Sequence, residues 1–421
     1  MLSNAVHEAA TQARRLMHEA ASASGFLASA TEAHYGLWTR DHAFTSMGAN
    51  VSNDPELVAA VRSGLLVIQP MQADTGQVPS ACLPPDYWDW GEIGAADPTT
   101  LFTITAAQHL ARHPDPALGA QLWPTLKRAD LWLQCQNVTG FGLISSPNGN
   151  DWMESSFNRG GITLYNNVLY IRHVQAMAEL APSEEAAEPY RARHSLLRRK
   201  LNDLLWPQAG YNYGDMLIGN PYPAREGPIT FQHSASQHAH AAAVRTDRGH
   251  YVSHYHFAQF VDECDVLGNV LAVLFDVASP DRARRIMAFL LGSDATTPYP
   301  ARTYLRPIPS GDPTELYHRA QDEFQDPRWR NTPGTYHNAG VWPFIGGLYV
   351  AALHHVGMVD EAAEAMEALA AAVRLSRSGG EWGFPEWIAL DGTPSEIQDQ
   401  TWGAGTLLAA YQSLQGCDVR W

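Results

Sequence analysis

The sequence predicts an all-α chain, arranged as a barrel of helical hairpins with an inner and an outer ring. Three observations predict it. Ala-rich amphipathic runs recur along the 421 residues. No strand series appears, and no GxGxxG turn follows a strand. Short connections alternate with very long ones, rich in Gly, Pro and aromatics, at 73–97, 140–161, 207–262 and 293–337. Loops beyond about 15 residues inside a compact domain are usually functional, so gathered on one face they build the site.

The helical runs fall at 3–23, 55–70, 98–112, 116–136, 162–181, 184–205, 265–277, 280–292, 338–356, 359–374 and 400–415. Several open on capping signals: "NDPEL" at Asn53, "SEEAA" at Ser183 and "SPDRA" at Ser279. "ADPTTL" at Ala96 places a proline near a helix start. Short strands are expected inside the long loops, as at 211–214. No fixed repeat marks a solenoid and no Ser/Gly/Pro-rich linker divides the chain, so a single domain spanning 1–421 is expected.

Composition narrows the function. Hydrophobic residues make up 45%, enough for a large core. The 28 Lys and Arg against 44 Asp and Glu disfavour a phosphate-tracking surface, so neither nucleic acid nor an anionic membrane is an expected partner. Thirteen Trp and sixteen Tyr supply faces that stack on sugars, or equally a Trp-rich core. Cys82, Cys135, Cys264 and Cys417 are widely spaced and form no CxxC pair. Buried reduced thiols and a cytoplasmic location are the expectation. The N-terminal run reads as an amphipathic helix rather than a signal peptide, and no stretch reaches eighteen apolar residues.

Two carboxylates stand out by their neighbours. "EWGFPEWIAL" surrounds Glu386 with Trp382, Phe384 and Trp387, side chains that exclude bulk water. "SSPNGNDWMESSFNRGG" sets Asp151 beside Trp152, where an indole and few cations raise a carboxyl's proton affinity, as a general acid needs. Glu154 competes with it locally, and a helix cap by Asp151 or Ser156 is the plainer alternative. "NTPGTYHNAGVWP" brings Tyr336, His337, Asn338 and Trp342 before an apolar helix, as a sugar-binding rim or an elaborate helix start. "LWTRDHAF" groups Trp38, Arg40 and Asp41, as hydroxyl ligands or a local salt bridge. "QDQTWGAG" supplies Asp399, Gln400 and Trp402, with Asp399 as a possible cap. Asp89 and Trp90 in the 73–97 loop and Arg159 in the 140–161 loop complete the expected substrate contacts.

These strings also carry a resemblance. "NTPGTYHNAGVWPFIGGLYVAAL", "FPEWIALDG" and "QDQTWGAGTLLAAY" resemble the C-terminal half of the alkaline/neutral invertases, glycoside hydrolases with a six-hairpin (α/α) barrel. "NGNDWMESSFNRGGITLYNNVLYIRHVQAM" resembles the segment that bears their general acid, without the usual Asp-Arg-Arg-Met-Gly string. "LWTRDHAF" is similar to the Arg-Asp motif of glucoamylase-like α/α-barrel glycosidases. The resemblance runs from 37 to 415 and is weak over 207–262. It implies Asp151 as general acid and Glu386 as general base of an inverting hydrolase that needs no cofactor. It also implies a non-reducing glucose-like unit held by Arg40, Asp41, His337, Asn338 and Trp342. Sucrose, α-glucosides, α-1,6 branches and mannosyl- or glucosylglycerate all fall within that clan.

Inverting hydrolysis asks for the same residue types: a protonated carboxyl on the leaving oxygen and a carboxylate activating water on the opposite face. Two other classes compete. His233, His238 and His240 with His250, His254 and His256 contain H-x-H pairs that can bind zinc, although HExxH is missing. A non-catalytic carbohydrate-binding protein would use the same aromatics.

Overall fold

The computed structural model describes residues 2–29, 36–83, 87–88, 95–147, 149–153, 159–206, 248–256, 259–261, 263–309, 331–377 and 379–419. Twelve α-helices lie among them: α1 Asn4–Ala20, α2 Thr39–Val51, α3 Pro55–Ile68, α4 Asp97–Arg112, α5 Pro116–Cys135, α6 Leu164–Leu180, α7 Glu184–Leu205, α8 Val266–Leu274, α9 Pro280–Leu291, α10 Pro343–His355, α11 Val359–Arg374 and α12 Thr401–Leu414. The even helices neighbour one another in a closed order, α2–α4–α6–α8–α10–α12 and back to α2. Each odd helix lies on an even one: α3 on α2, α5 on α4, α7 on α6, α9 on α8, α11 on α10 and α1 on α12.

The two sets differ as their positions require. Odd helices bury one stripe; α1 hides Val6, Ala9, Ala10, Ala13, Leu16, Met17 and Ala20, three or four residues apart. Even helices are buried all round, as every residue of α2 and α8 shows. Of the even helices only α2 is absent from the eleven runs expected from the sequence. "TRDHAFTSMGANV" has no apolar stripe, because both of its sides are interior. Its polar side chains bond back to their own helix, Thr45 Oγ1 to Asp41 O at 2.7 Å and Ser46 Oγ to His42 O at 2.6 Å. Small residues let α2 and α12 meet backbone to backbone: a Cβ on Gly48 would lie 2.2 Å from Gly405 O.

The caps expected at Ser183 and Ser279 form, accepting from Ala186 N and Arg282 N. Asp54, not Asn53, caps α3. The run expected from 338 becomes helical only at Pro343, since Ala339 takes a left-handed φ of 66° and Trp342 is the cap residue. The strand expected at 211–214 lies outside the described residues. Three small antiparallel sheets form: β1 Ala21–Ser22 with β2 Gly25–Phe26; β3 Leu37–Trp38 with β4 Ala81–Leu83 and β5 Tyr87–Trp88; β6 Ile162–Thr163 with β7 His254–His256 and β8 Gln259–Val261. Short strands do lie in the long loops, β4 and β5 within 73–97 and β7 and β8 within 207–262. β3 runs straight into α2 and β6 into α6. Single bridges join Asp265 to Tyr304, Arg302 to Val341, Val341 to Ile388 and Ser29 to Gln400. The segments leading into the even helices are thus sewn together at one end.

Burial of histidines sets an acid limit on this core. His42 of α2 is 1% exposed, and burial pushes its pKa down to about 4. The unfolded chain binds this proton near pH 6.5 and the native one only near 4. Stability is therefore full above pH 6.5, falls as pH drops through that window, and levels off below about 4. His42 alone accounts for about 3 kcal/mol of the loss. Urea unfolding at pH 7.0, 5.5 and 4.5 is expected to show it, with a flatter profile for His42→Gln; an equally steep profile in that variant would remove His42 as a cause.

Candidate active site

Where the even helices begin, buried charges meet aromatic rings. Arg40 and Asp41 occupy the first turn of α2, 6% and 8% exposed. Arg40 reaches across to α4, Nε donating to Asp97 Oδ2 at 2.6 Å. The same Oδ2 accepts the Tyr165 hydroxyl from α6 at 3.1 Å. A local Arg40–Asp41 bridge is the alternative to sugar binding that sequence suggests, and no motif singles out Asp97. Its only signal was the proline that follows it, which marked a helix start rather than an ion pair.

Arg159 is the second centre. It is 1% exposed. Nε donates to Asp151 Oδ2 at 2.6 Å, Nη2 to Asp265 Oδ2 at 2.7 Å and Nη1 to the Tyr304 hydroxyl at 3.0 Å. Burial works against its charge, but Asp151, Asp265 and Tyr304 raise its pKa well above the usual value. Arg159, expected to contact substrate, is thus committed to protein partners and joins the segments before α6 and α8. Asp265 also caps α8, accepting from Gly268 N at 2.9 Å.

Asp151 is 2% exposed, and both of its oxygens accept: Oδ2 from Arg159, Oδ1 from Met153 N at 2.9 Å. This corrects the picture of a carboxyl set against an indole with few cations near. Nor does Asp151 cap the next helix, which Thr163 caps. Glu154 and Ser156 lie outside the described residues, as do Asp89 and Trp90.

Trp152 turns into an aromatic cluster. Its ring is edge-on to His337, Trp342 and Phe344 with centroids 5.1, 5.4 and 5.4 Å away, and it meets Tyr165 at 6.5 Å. His337 stacks between Tyr336 at 4.0 Å and Trp342 at 5.1 Å, and Phe344 stacks on Trp402 at 4.2 Å. Burial holds His337 well below its usual pKa, and the charges of Arg40 and Arg159 push the same way, so the imidazole is neutral. Asn338, expected to bind sugar, is a loop clamp instead. Oδ1 accepts from Ile308 N, and Nδ2 donates to Ile308 O and Asn331 O. Trp342, expected to bind sugar, donates its indole hydrogen to Tyr336 O at 3.0 Å.

Glu386 is 7% exposed, and its N–H donates to Ile397 O at 2.9 Å. Ile388 exchanges two backbone bonds with Val341, and Trp387 meets Tyr336 at 6.2 Å, so the Glu386 segment lies against the aromatic cluster. Phe384 and Trp387 are buried beside Glu386, as expected. Trp382 differs: it is half-buried, under the guanidinium of Arg374 at 5.0 Å. Tyr336, Ala339, Phe384 and Asp399 hold left-handed φ of 43°, 66°, 40° and 56°, conformations costly for non-glycine residues that gather in these two segments. Gln400 is the cap residue of α12 without a side-chain cap bond, and Asp399 is not a cap. Trp38 is half-buried in β3.

No family model matches the chain, and no curated protein matches it in sequence. Solved structures do. A GH63 mannosylglycerate hydrolase from Thermus thermophilus superimposes with a TM-score of 0.62 at 14% identity, over 95% of this chain and 99% of that one. Its complex with glucose matches equally. A rhamnosidase from Klebsiella oxytoca with rhamnose bound gives 0.56 at 17% identity, over 94% of this chain and 63% of that one.

This chain shares their fold. Among the described residues no group of His, Cys, Asp and Glu is placed to hold a metal, and no helix is long and apolar enough to cross a membrane. His233, His238 and His240 lie outside them. His250 packs on Phe289 and His254 bonds Ser253 Oγ. None of the four cysteines is in a disulfide; Cys82 and Cys264 are buried, whereas Cys135 is exposed, against the expectation of buried thiols.

Proposed function

We propose that this protein is an inverting glycoside hydrolase, with one (α/α)6-barrel domain, that releases a terminal α-linked glucose-like unit from a small glycoside. One observation carries the reading. The carboxylate segments around Asp151 and Glu386, distant in sequence, lie against the same aromatic cluster, through Trp152 on His337 and Trp342 and through Trp387 on Tyr336. The closed order of even helices and the glycosidase neighbours support the barrel. The two buried thiols suit a cytoplasmic protein.

Glu386 is the base, sheltered by Phe384 and Trp387 and so able to hold one water in place. The acid comes from the segment of Asp151 and Glu154. Asp151 is the carboxyl that the sequence points to; its two hydrogen bonds give it an anchoring duty and make Glu154 the carboxyl to test against it. Arg40 and Asp41 bind hydroxyls, Trp152, His337 and Trp402 form the apolar wall, Trp38, Tyr336 and Gln400 line the approach, and Asp89 and Trp90, outside the described residues, stay as candidate substrate contacts.

The direct test incubates the purified protein with sucrose, trehalose, isomaltose, kojibiose, glucosylglycerate and mannosylglycerate, and follows sugar release by proton NMR. Initial release of the β-anomer from an α-linked substrate is expected. Inversion calls for carboxyls about 6.5–9.5 Å apart and retention for about 5 Å, so initial α-anomer would replace the general base with a nucleophile. Absence of turnover across the panel, with sugar binding retained, would favour a carbohydrate-binding role.

A further inference from the structure

Asp97 stood outside every motif that pointed to this site, yet it is a fully enclosed carboxylate within it. It opens α4 and is 0% exposed. Its Oδ2 takes donors from both neighbouring even helices, Arg40 of α2 and Tyr165 of α6, while the buried Oδ1 has no partner among the described residues. A carboxylate cut off from water is costly unless a cation and hydrogen bonds compensate it, and Arg40 is the cation that does so.

The dependence also runs the other way. Nε lies on the stem side of the guanidinium, so a short bond there fixes the plane of the group and the direction of its Nη atoms. Tyr165 holds the accepting oxygen from the opposite side, and its own ring rests against Trp152, the wall of the aromatic cluster. Burial first, and the Asp97 charge next, push the phenol well above its ordinary pKa, so Tyr165 donates throughout the physiological range. Three consecutive even helices are thereby tied at one oxygen atom.

We infer that Asp97 is a positioning residue: held by Tyr165, it grips Arg40 by its Nε edge and sets the orientation in which Arg40 meets a hydroxyl of the glycoside. The inference rests on the glycosidase reading and on the hydroxyl-binding role given to Arg40 there.

The test compares the full-length wild type with Asp97→Asn, Tyr165→Phe, Arg40→Lys and the Arg40→Lys/Asp97→Asn pair. Hydrolysis of 4-nitrophenyl α-glucoside gives kcat and KM, and the Arg40 Nε–H resonance is recorded in protein labelled with 15N-arginine. Asp97→Asn keeps an acceptor but loses the charge; kcat/KM is expected to fall at least tenfold. In the Arg40→Lys background the same change is expected to cost less than threefold, as two residues acting through one contact require, and unchanged unfolding midpoints would separate this loss from one of stability. Tyr165→Phe, which keeps the ion pair, is expected to give a smaller loss in the same direction and to remain available if Asp97→Asn does not fold. Equal losses in both Arg40 backgrounds would overturn the inference. If the wild type hydrolyses nothing, the glycosidase reading falls separately, and the resonance decides: a displaced Nε–H signal in Asp97→Asn or Tyr165→Phe supports the grip, and an unmoved one removes it.

Discussion

Glu386→Gln is expected to lower turnover by a factor on the order of 10²–10⁴ while leaving the fold intact, the range by which a positioned general base contributes. Glutamine has nearly the shape of glutamate but cannot take a proton from water. The segment that carries Glu386 is fixed by backbone bonds, Glu386 N to Ile397 O and Ile388 with Val341, which the substitution leaves in place. Circular dichroism and the unfolding midpoint should therefore match the wild type while sugar release is lost. The acid is resolved by the companion pair. Glu154→Gln is expected to abolish turnover of natural glycosides and to spare activated ones with good leaving groups, which need little protonation. Asp151→Asn is expected to lower stability, since it removes the charge from a carboxylate bonded to buried Arg159. A stable, inactive Asp151→Asn beside an active Glu154→Gln would return the acid role to Asp151. An active Glu386→Gln would end the hydrolase mechanism proposed here.

Arg159→Met carries the largest expected effect on stability. Its guanidinium is bonded to two carboxylates, Asp151 and Asp265, in a place where none of the three has solvent. Methionine fills much of the volume but leaves two buried anions without their cation. Breaking a buried pair in this way costs about 3–5 kcal/mol. The loss should appear as a lower urea midpoint with an unchanged slope. Adding Asp151→Asn and Asp265→Asn to Arg159→Met is expected to recover part of it, because the uncompensated charges are then gone. A loss under about 1 kcal/mol for Arg159→Met would mean that water reaches the cluster and that the segments before α6 and α8 are held by other contacts.

Sequence alone determined the one-sided helices and most of their ends. A helix in the outer layer has one dry face, so its apolar residues repeat every three or four positions, and α1, α7, α9 and α11 are legible for that reason. Caps at Ser183 and Ser279 were legible because a hydroxyl three residues before a backbone N–H is a local device. Glu386 was legible through the aromatics beside it in the chain. What only the tertiary structure decided is a polar helix with no dry stripe and everything set by distant partners. α2 was hidden because it is buried all round yet rich in polar residues, so it shows neither an apolar stripe nor an apolar run, whereas the equally buried α8 is apolar throughout and was legible. Asp97 was hidden because its partners, Arg40 and Tyr165, lie 57 and 68 positions away. Asp151 looked like a carboxyl facing an indole because sequence adjacency says nothing about direction; in the fold Trp152 turns to His337 and Trp342 while Asp151 turns to Arg159. Local pattern reports the environment of a backbone segment, whereas the charge state and task of a buried side chain depend on which remote groups the fold brings within about 3 Å of it.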